Sequence, residues 1–160
     1  MEYERALGLA YRYVGRRERT VADVQAHLES RQVDAGTAEA VITSLTEQGY
    51  LDDRRFARVF VEDKRQLEQW GDERIRRGLA THGIDPELIA QAIGQDGEEE
   101  AELDRAVALL RRRLPQPEPG RRGRERALGL LLRRGYDYEI ADRAVRAHRA
   151  QPAVEASARE

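Results

Sequence analysis

The stretch ERIRRGLATHGIDPELIAQAI at residues 73–93 returns as ERALGLLLRRGYDYEIADRAV at residues 125–145, 52 positions further on and without a gap. Glu73 pairs with Glu125, Arg74 with Arg126, Leu79 with Leu131, Gly83 with Gly135, Asp85 with Asp137, Glu87 with Glu139 and Ala92 with Ala144. Ile84 and Tyr136, Leu88 and Ile140, and Ile93 and Val145 agree in character. Gly83 and Gly135 stand where a left-handed residue ends a helix, Asp85 and Asp137 where the next helix is capped. Pro86 takes the first helical position, where its missing N–H costs nothing. A helix–turn–helix that recurs with its cap, turn and buried face decides the architecture, because fixed-period self-similarity is the signature of a repeat fold.

Working outward, apolar residues fall at i, i+3, i+4 and i+7 in segment after segment, and strand-like alternation is absent. Leu7, Ala10, Tyr11 and Val14, then Val24 and Leu28, then Ala38, Val41, Ile42 and Leu45 predict three helices, with Thr20 and Asp23 as a capping pair and Gly49 as a terminator. Val24, Leu28 and Val33 align with Ile75, Leu79 and Ile84 at an offset of 51, so this is a first, looser copy. Gln32 stands where the other copies have Gly, which predicts a strained or differently shaped turn. A long helix with Phe56, Val59, Phe60, Leu67 and Trp70 opens the second copy. Leu103, Val107, Leu110 and Leu114 open the third, followed by a Pro- and Gly-rich loop from Pro115 to Gly123. The expected fold is all-α, with helical repeats at 1–50, 51–97 and 98–150 and a disordered tail at 151–160.

Composition bounds the function. Hydrophobic residues make up 40% of the chain and charged ones 36%, with two Phe and one Trp, which suits thin helical layers better than a thick core. The absence of Cys excludes disulfides and thiolate metal sites and fits a reducing, cytoplasmic setting. No export signal is read near Met1, and no apolar run approaches the roughly 20 residues of a membrane span. No Walker loop, GxGxxG, GxSxG or HExxH occurs. His27, His82 and His148 lie in different repeats, two at helix C-terminal turns where a partly cationic ring suits the dipole. No enzyme, cofactor or metal site is expected. Asp52 and Asp53, ahead of a long helix, read as a cap and a dipole partner; as a metal pair they lack further ligands.

Charge is uneven. Residues 1–104 carry 14 basic and 23 acidic groups, a net of −9, whereas residues 105–149 carry 13 Arg and 5 acids, a net of +8. Arg111, Arg112 and Arg113 end one helix and Arg133 and Arg134 another, where cations favour the dipole. Arg121, Arg122, Arg124 and Arg126 crowd a helix start, where the dipole disfavours them, so these nine arginines are the candidate contacts to DNA phosphates or to acidic groups of a protein partner. Arg16, Arg17 and Arg19 form a weaker cluster.

Gly49-Tyr50-Leu51-Asp52-Asp53-Arg54-Arg55-Phe56-Ala57, then Gly71 with Arg74, Ile75, Leu79, Gly83 and Ile84, then Leu132-Arg133-Arg134-Gly135-Tyr136, stand in order along the chain. Together they resemble the signatures of the RecX family of bacterial recombination regulators, over about Ala6 to Ala147. The resemblance implies tandem three-helix repeats in an elongated, curved array. It also implies a role in recombination, repair and the SOS response: binding, as a monomer, in the groove of the RecA recombinase filament with its single-stranded DNA. There such a protein restrains ATP hydrolysis, strand exchange and filament growth. The alternative is a helix–turn–helix regulator that binds DNA without a recombinase, against which the acidic first 104 residues argue.

Overall fold

A computed structural model describes residues 1–94 and 98–150; the tail expected to be disordered lies outside them. The described residues are all-helical: α1 Glu2–Val14, α2 Val21–Ser30, α3 Ala35–Glu47, α4 Asp53–Gln66, α5 Asp72–Thr81, α6 Pro86–Ile93, α7 Glu98–Arg113, α8 Gly120–Arg133 and α9 Tyr138–Arg149. They form the three-helix repeats expected, α1–α3, α4–α6 and α7–α9. Packing, however, groups the chain into two compact units, Met1–Val61 with Gly78–Ala92, and Glu62–Arg77 with the chain from Ile93 onward. The second repeat therefore contributes helices to both.

In the first unit, Ala6 and Ala10 of α1 meet Val24 and Leu28 of α2 and Ala38, Val41 and Leu45 of α3, closed by Val33 and Leu51. The small residues of α1 allow close helix approach, and each fully buried Leu or Val stabilises the bundle by about 1.5–3 kcal/mol. Thr20 and Asp23 form the predicted capping box, and Asp34 starts α3 by accepting from the Thr37 N–H. Leu28 O accepts from Val33 N, Leu79 O from Ile84 N and Leu131 O from Tyr136 N, so the turn recurs in all three repeats. Gln32 holds the left-handed φ of 62° that Gly83 (72°) and Gly135 (92°) hold. The turn is thus strained, not reshaped. Gln32 is exposed, whereas a Cβ on Gly83 would sit 2.4 Å from Ala22 Cβ and one on Gly135 2.1 Å from Arg74 Cβ.

Those crowded glycines mark junctions between repeats. In the first unit, the Thr20 hydroxyl donates to the His82 carbonyl at 2.7 Å, and Asp53 Oδ1 accepts from Val21 N at 3.0 Å. His82 Nδ1 lies 3.3 Å from Asp23 Oδ2, and its ring packs on Phe56 and Phe60. In the second unit, Gly71 N donates to the Arg134 carbonyl at 2.8 Å, and Glu102 Oε1 accepts from Asp72 N at 3.0 Å. Thr20 and Val21 correspond to Gly71 and Asp72, and His82 to Arg134, so one joint is built twice. In the first repeat the matching carbonyl, that of Arg31, accepts instead from the Arg5 guanidinium at 3.1 Å.

The core of the third repeat joins Ala106, Leu109 and Leu110 of α7, Ala127 and Leu131 of α8, and Ile140, Ala141, Ala144 and Val145 of α9. The expected loop from Pro115 to Gly123 is too long. Helix α8 begins at Gly120, because Gly123, Ala127 and Leu131 extend its buried face one turn earlier. Gly123 is obligatory there, since a Cβ would stand 1.9 Å from the Glu118 carbonyl oxygen.

The candidate partner-binding surface

Helix α7 ends on Arg111, Arg112 and Arg113, all exposed. With its amide oxygen turned toward Arg112, Gln69 of the α4–α5 turn accepts from both guanidinium nitrogens at 2.8 and 3.0 Å. The same turn receives Arg134, whose Nη1 donates to the Glu68 carbonyl at 2.6 Å, while Arg74 donates to the Arg133 carbonyl at 3.2 Å. Arg74 and Lys64 lie over the Trp70 ring, 4.1 and 4.5 Å from its centroid. Arg134 therefore belongs to the second joint, whereas the Arg133 side chain stays exposed.

At the other end of α8, about 20 Å along the helix axis, Pro119 stands as N-cap without a side-chain hydrogen bond to the free N–H groups. Arg121 pairs with Glu125 at 2.9 Å and remains 91% exposed; Arg126 lies 3.6 Å from Glu118. Arg124 reaches Asp142 of α9 at 2.9 Å, and Arg146 grips the same carboxylate through Nε at 3.0 Å. Hydrogen bonds from Arg146 and then Arg124 hold the Asp142 carboxyl below its ordinary range. Arg149 donates to the carbonyls of Glu118 and Gly120 at 2.7 and 3.1 Å, pinning the loop that leads into α8. Arg113 and Arg122 are exposed and make no ion pair among the described residues. The four arginines crowding this helix start thus divide: three are offset by carboxylates within the repeat, and Arg122 is offered outward.

The six cap and turn residues stand at helix starts and turns. Asp52 accepts from Arg55 N, Asp85 from Glu87 N and Asp137 from Ile140 N, while Gly83 and Gly135 supply the left-handed turns. Asp53 stands in the first turn of α4 and also accepts from the Val21 N–H of α2. Burial, with Asp23 and Asp52 nearby, raises its carboxyl above the usual range, and burial does the same to Glu102.

Several polar residues of the second joint carry no motif in the sequence. Asp72 lies 3.0 Å from Arg65 and 3.5 Å from Arg105, beside Glu102, and Tyr136 is driven up to about 12 by burial. Glu102 sits in an acidic helix start, Glu98 to Glu102, that reads as a solvated face; only its buried position singles it out. The expected partly cationic histidines are corrected as well. Burial, then Arg31, Arg19 and Arg16, lowers His27, and burial lowers His148, 5% exposed, with Arg111 and Arg149 adding to it. Desolvation and the nearby arginines both disfavour the protonated form of these rings.

Among the described residues no group of three or more His, Cys, Asp or Glu is placed to hold a metal ion, and no helix is long and apolar enough to cross a membrane.

The family model described as RecX, second three-helix domain, matches residues 52–93, and that described as RecX, third three-helix domain, matches residues 99–145. The Regulatory protein RecX of Stenotrophomonas maltophilia is 37% identical over 144 residues, covering 89% of this chain and 84% of that one. That of Trichlorobacter lovleyi is 32% identical over 134 residues, covering 82% and 87%. The crystal structure of RecX from Lactobacillus salivarius shares the fold at a TM-score of 0.78 and 20% identity, over 93% of this chain and 97% of that one. With two family models matching in order and relatives aligned over most of its length, the chain belongs to the RecX family of regulatory proteins.

Proposed function

We propose that this chain is a non-catalytic regulator that binds the RecA–DNA filament in its helical groove and restrains RecA ATP hydrolysis, strand exchange and filament growth. In this reading it works as a cytoplasmic monomer, its repeats bounded at about 1–50, 51–97 and 98–150, with the basic third repeat making the decisive contact. Family membership supports the RecA partner. Arg113, exposed at the end of α7, makes no ion pair among the described residues, and the observation that carries the contact is Arg122, equally exposed and unpaired, beside Arg121, Arg124 and Arg126 at an uncapped helix start. Cations there oppose the helix dipole, and an anionic partner removes that penalty. The planar guanidinium fork suits DNA phosphates and protein carboxylates alike.

Replacing Arg113 and Arg122 by Glu is expected to weaken binding to RecA filaments on single-stranded DNA at least about 10-fold, with thermal unfolding unchanged. Arg124→Ala is a poor probe because it also releases Asp142. If the contacts are to phosphate, losing two of them flattens the slope of log K against log salt by about 1.4. An unchanged slope with weakened binding assigns them to protein carboxylates. Filament binding and RecA ATPase that match the unaltered chain would sink the reading.

A further inference from the structure

A cleft of about 380 Å³ opens in the first compact unit, lined by Val21 of α2, Leu51 and Asp52 of the α3–α4 connection, Asp53 and Arg54 of α4, and Leu88 of α6. Ligand pockets run to about 300–1,000 Å³, so the space suits a long side chain with some backbone better than a lone ion. Leu51 is 1% exposed, and Val21 and Leu88 are half-buried, which supplies an apolar wall.

The polar wall has spare capacity. Asp52 uses Oδ1 on the Arg55 N–H and Asp53 uses Oδ1 on the Val21 N–H, each at 3.0 Å. An ionised carboxylate offers about four lone-pair sites, and among the described residues no hydrogen bond reaches Oδ2 of either. Of the nearby cations, Arg55 donates to the Gly49 carbonyl and faces Glu18, while Arg54 stands exposed at the rim. Apart from burial, the charges that act on Asp53 are Asp23 and Asp52, both negative, and both push its carboxyl up. With Arg54 at the rim, the charged residues lining the cleft still sum to −1.

We propose that this cleft is a docking site for a lysine or arginine side chain presented by a protein partner. The aliphatic stem lies along Leu51 and Leu88, and the cationic head bonds to the uncommitted oxygens of Asp52 and Asp53. This site is acidic and sits on the first unit, so it is independent of the arginine surface and of the filament reading.

The test uses the full chain, ¹⁵N-labelled, and no recombinase. Titration with acetyl-Leu-Arg-Leu-amide at millimolar concentration is expected to give saturable shifts at the amides of Val21, Asp52, Arg54 and Leu88. The counterpart with neutral citrulline in place of arginine is expected to give none, and Asp52→Asn with Asp53→Asn abolishes the response. Asparagine keeps both the cap and the acceptor for Val21, so the fold is retained. Should that variant not fold, the arginine–citrulline contrast on the unaltered chain still decides. Absent or diffuse shifts, equal shifts with citrulline, or a response that survives in the double variant overturn the proposal. So does a response to MgCl₂ alone, which would make the cleft an inorganic cation site.

Discussion

The joint between the first and second repeats and the joint between the second and third follow one plan with different chemistry. In both, a carboxylate from the next repeat's first helix, Asp53 or Glu102, accepts the first N–H of the preceding repeat's second helix. In both, the carbonyl that closes the helix–turn–helix receives a donor from the neighbouring turn. The first joint fills the remaining space with His82 against Phe56 and Phe60; the second fills it with Asp72, Arg65 and Arg105. The backbone bonds fix the register, and the side chains around them are free to be aromatic or ionic. An ionic filling leaves buried donors, and Arg65 Nε and Arg105 Nε have no partner among the described residues. It is therefore the filling more damaged by losing one member.

The largest difference between the joints is expected where backbone meets backbone. A Cβ at Gly71 would stand 2.5 Å from Tyr136 N and 2.6 Å from the Gly135 carbonyl. Gly71→Ala should cost about 3 kcal/mol through overpacking, whereas Thr20→Ala, at the matching position, loses a cap and costs up to about 2 kcal/mol. Urea unfolding of the two variants makes the comparison, and equal losses would mean that the second joint yields more readily than its geometry implies.

Next in size, Asp72→Asn removes the acid that Arg65 and Arg105 share and should cost about 3 kcal/mol. Asp23→Asn, in the first joint, keeps its acceptor and sits at a more open pair, so its loss should stay below about 1 kcal/mol. A salt titration sharpens this, because the Asp23 variant converges on the parent as ionic strength rises and the Asp72 variant does not.

The pH dependence is smaller and shared. Glu102 and Asp53 are raised in the folded chain above 4.5 and 3.8 respectively. The folded state therefore binds more protons than the unfolded one between those values and the raised ones, and stability falls as pH climbs through that window. Asp142, lowered by its arginines, acts the other way: its contribution is present above 3.8 and is lost as pH falls through its folded value. Glu102→Gln keeps an acceptor for Asp72 N and is expected to flatten the loss above 4.5, read by chemical denaturation across pH. A profile unchanged in that variant would leave the decline to other groups.

The smallest effect belongs to the turn outside both joints. Gln32→Gly relieves an exposed left-handed residue and should stabilise by up to about 1 kcal/mol, visible as a raised melting temperature.

Much of this plan was legible beforehand because caps and turns are local. Thr20 with Asp23, Gly83 with Asp85, and Gly135 with Asp137 act within a few residues, and each took its expected place. The joints were not legible, since they link residues about 30 to 60 positions apart through backbone groups that carry no signature. Asp53 illustrates the limit: a carboxylate at a helix start reads as a local partner, and only the approach of α2 turns it to another helix. The arginine surface was legible as a cluster and not as a set of roles, because an ion pair such as Arg124 with Asp142 depends on which helices lie side by side. The early start of α8 escaped because Pro and Gly read as loop, while burial of Gly123 favoured one more turn of helix.

The carbonyl that ends each repeat's second helix is served by a guanidinium at Arg31, a hydroxyl at His82 and a backbone amide at Arg134. An acceptor so indifferent to its donor makes the unit easy to duplicate. A new copy needs no matched side chain to be stitched on, and in the first repeat one long flexible residue, Arg5, serves the same carbonyl. Chain growth by whole repeats is then a small evolutionary step, and later divergence is left to the residues around the stitch.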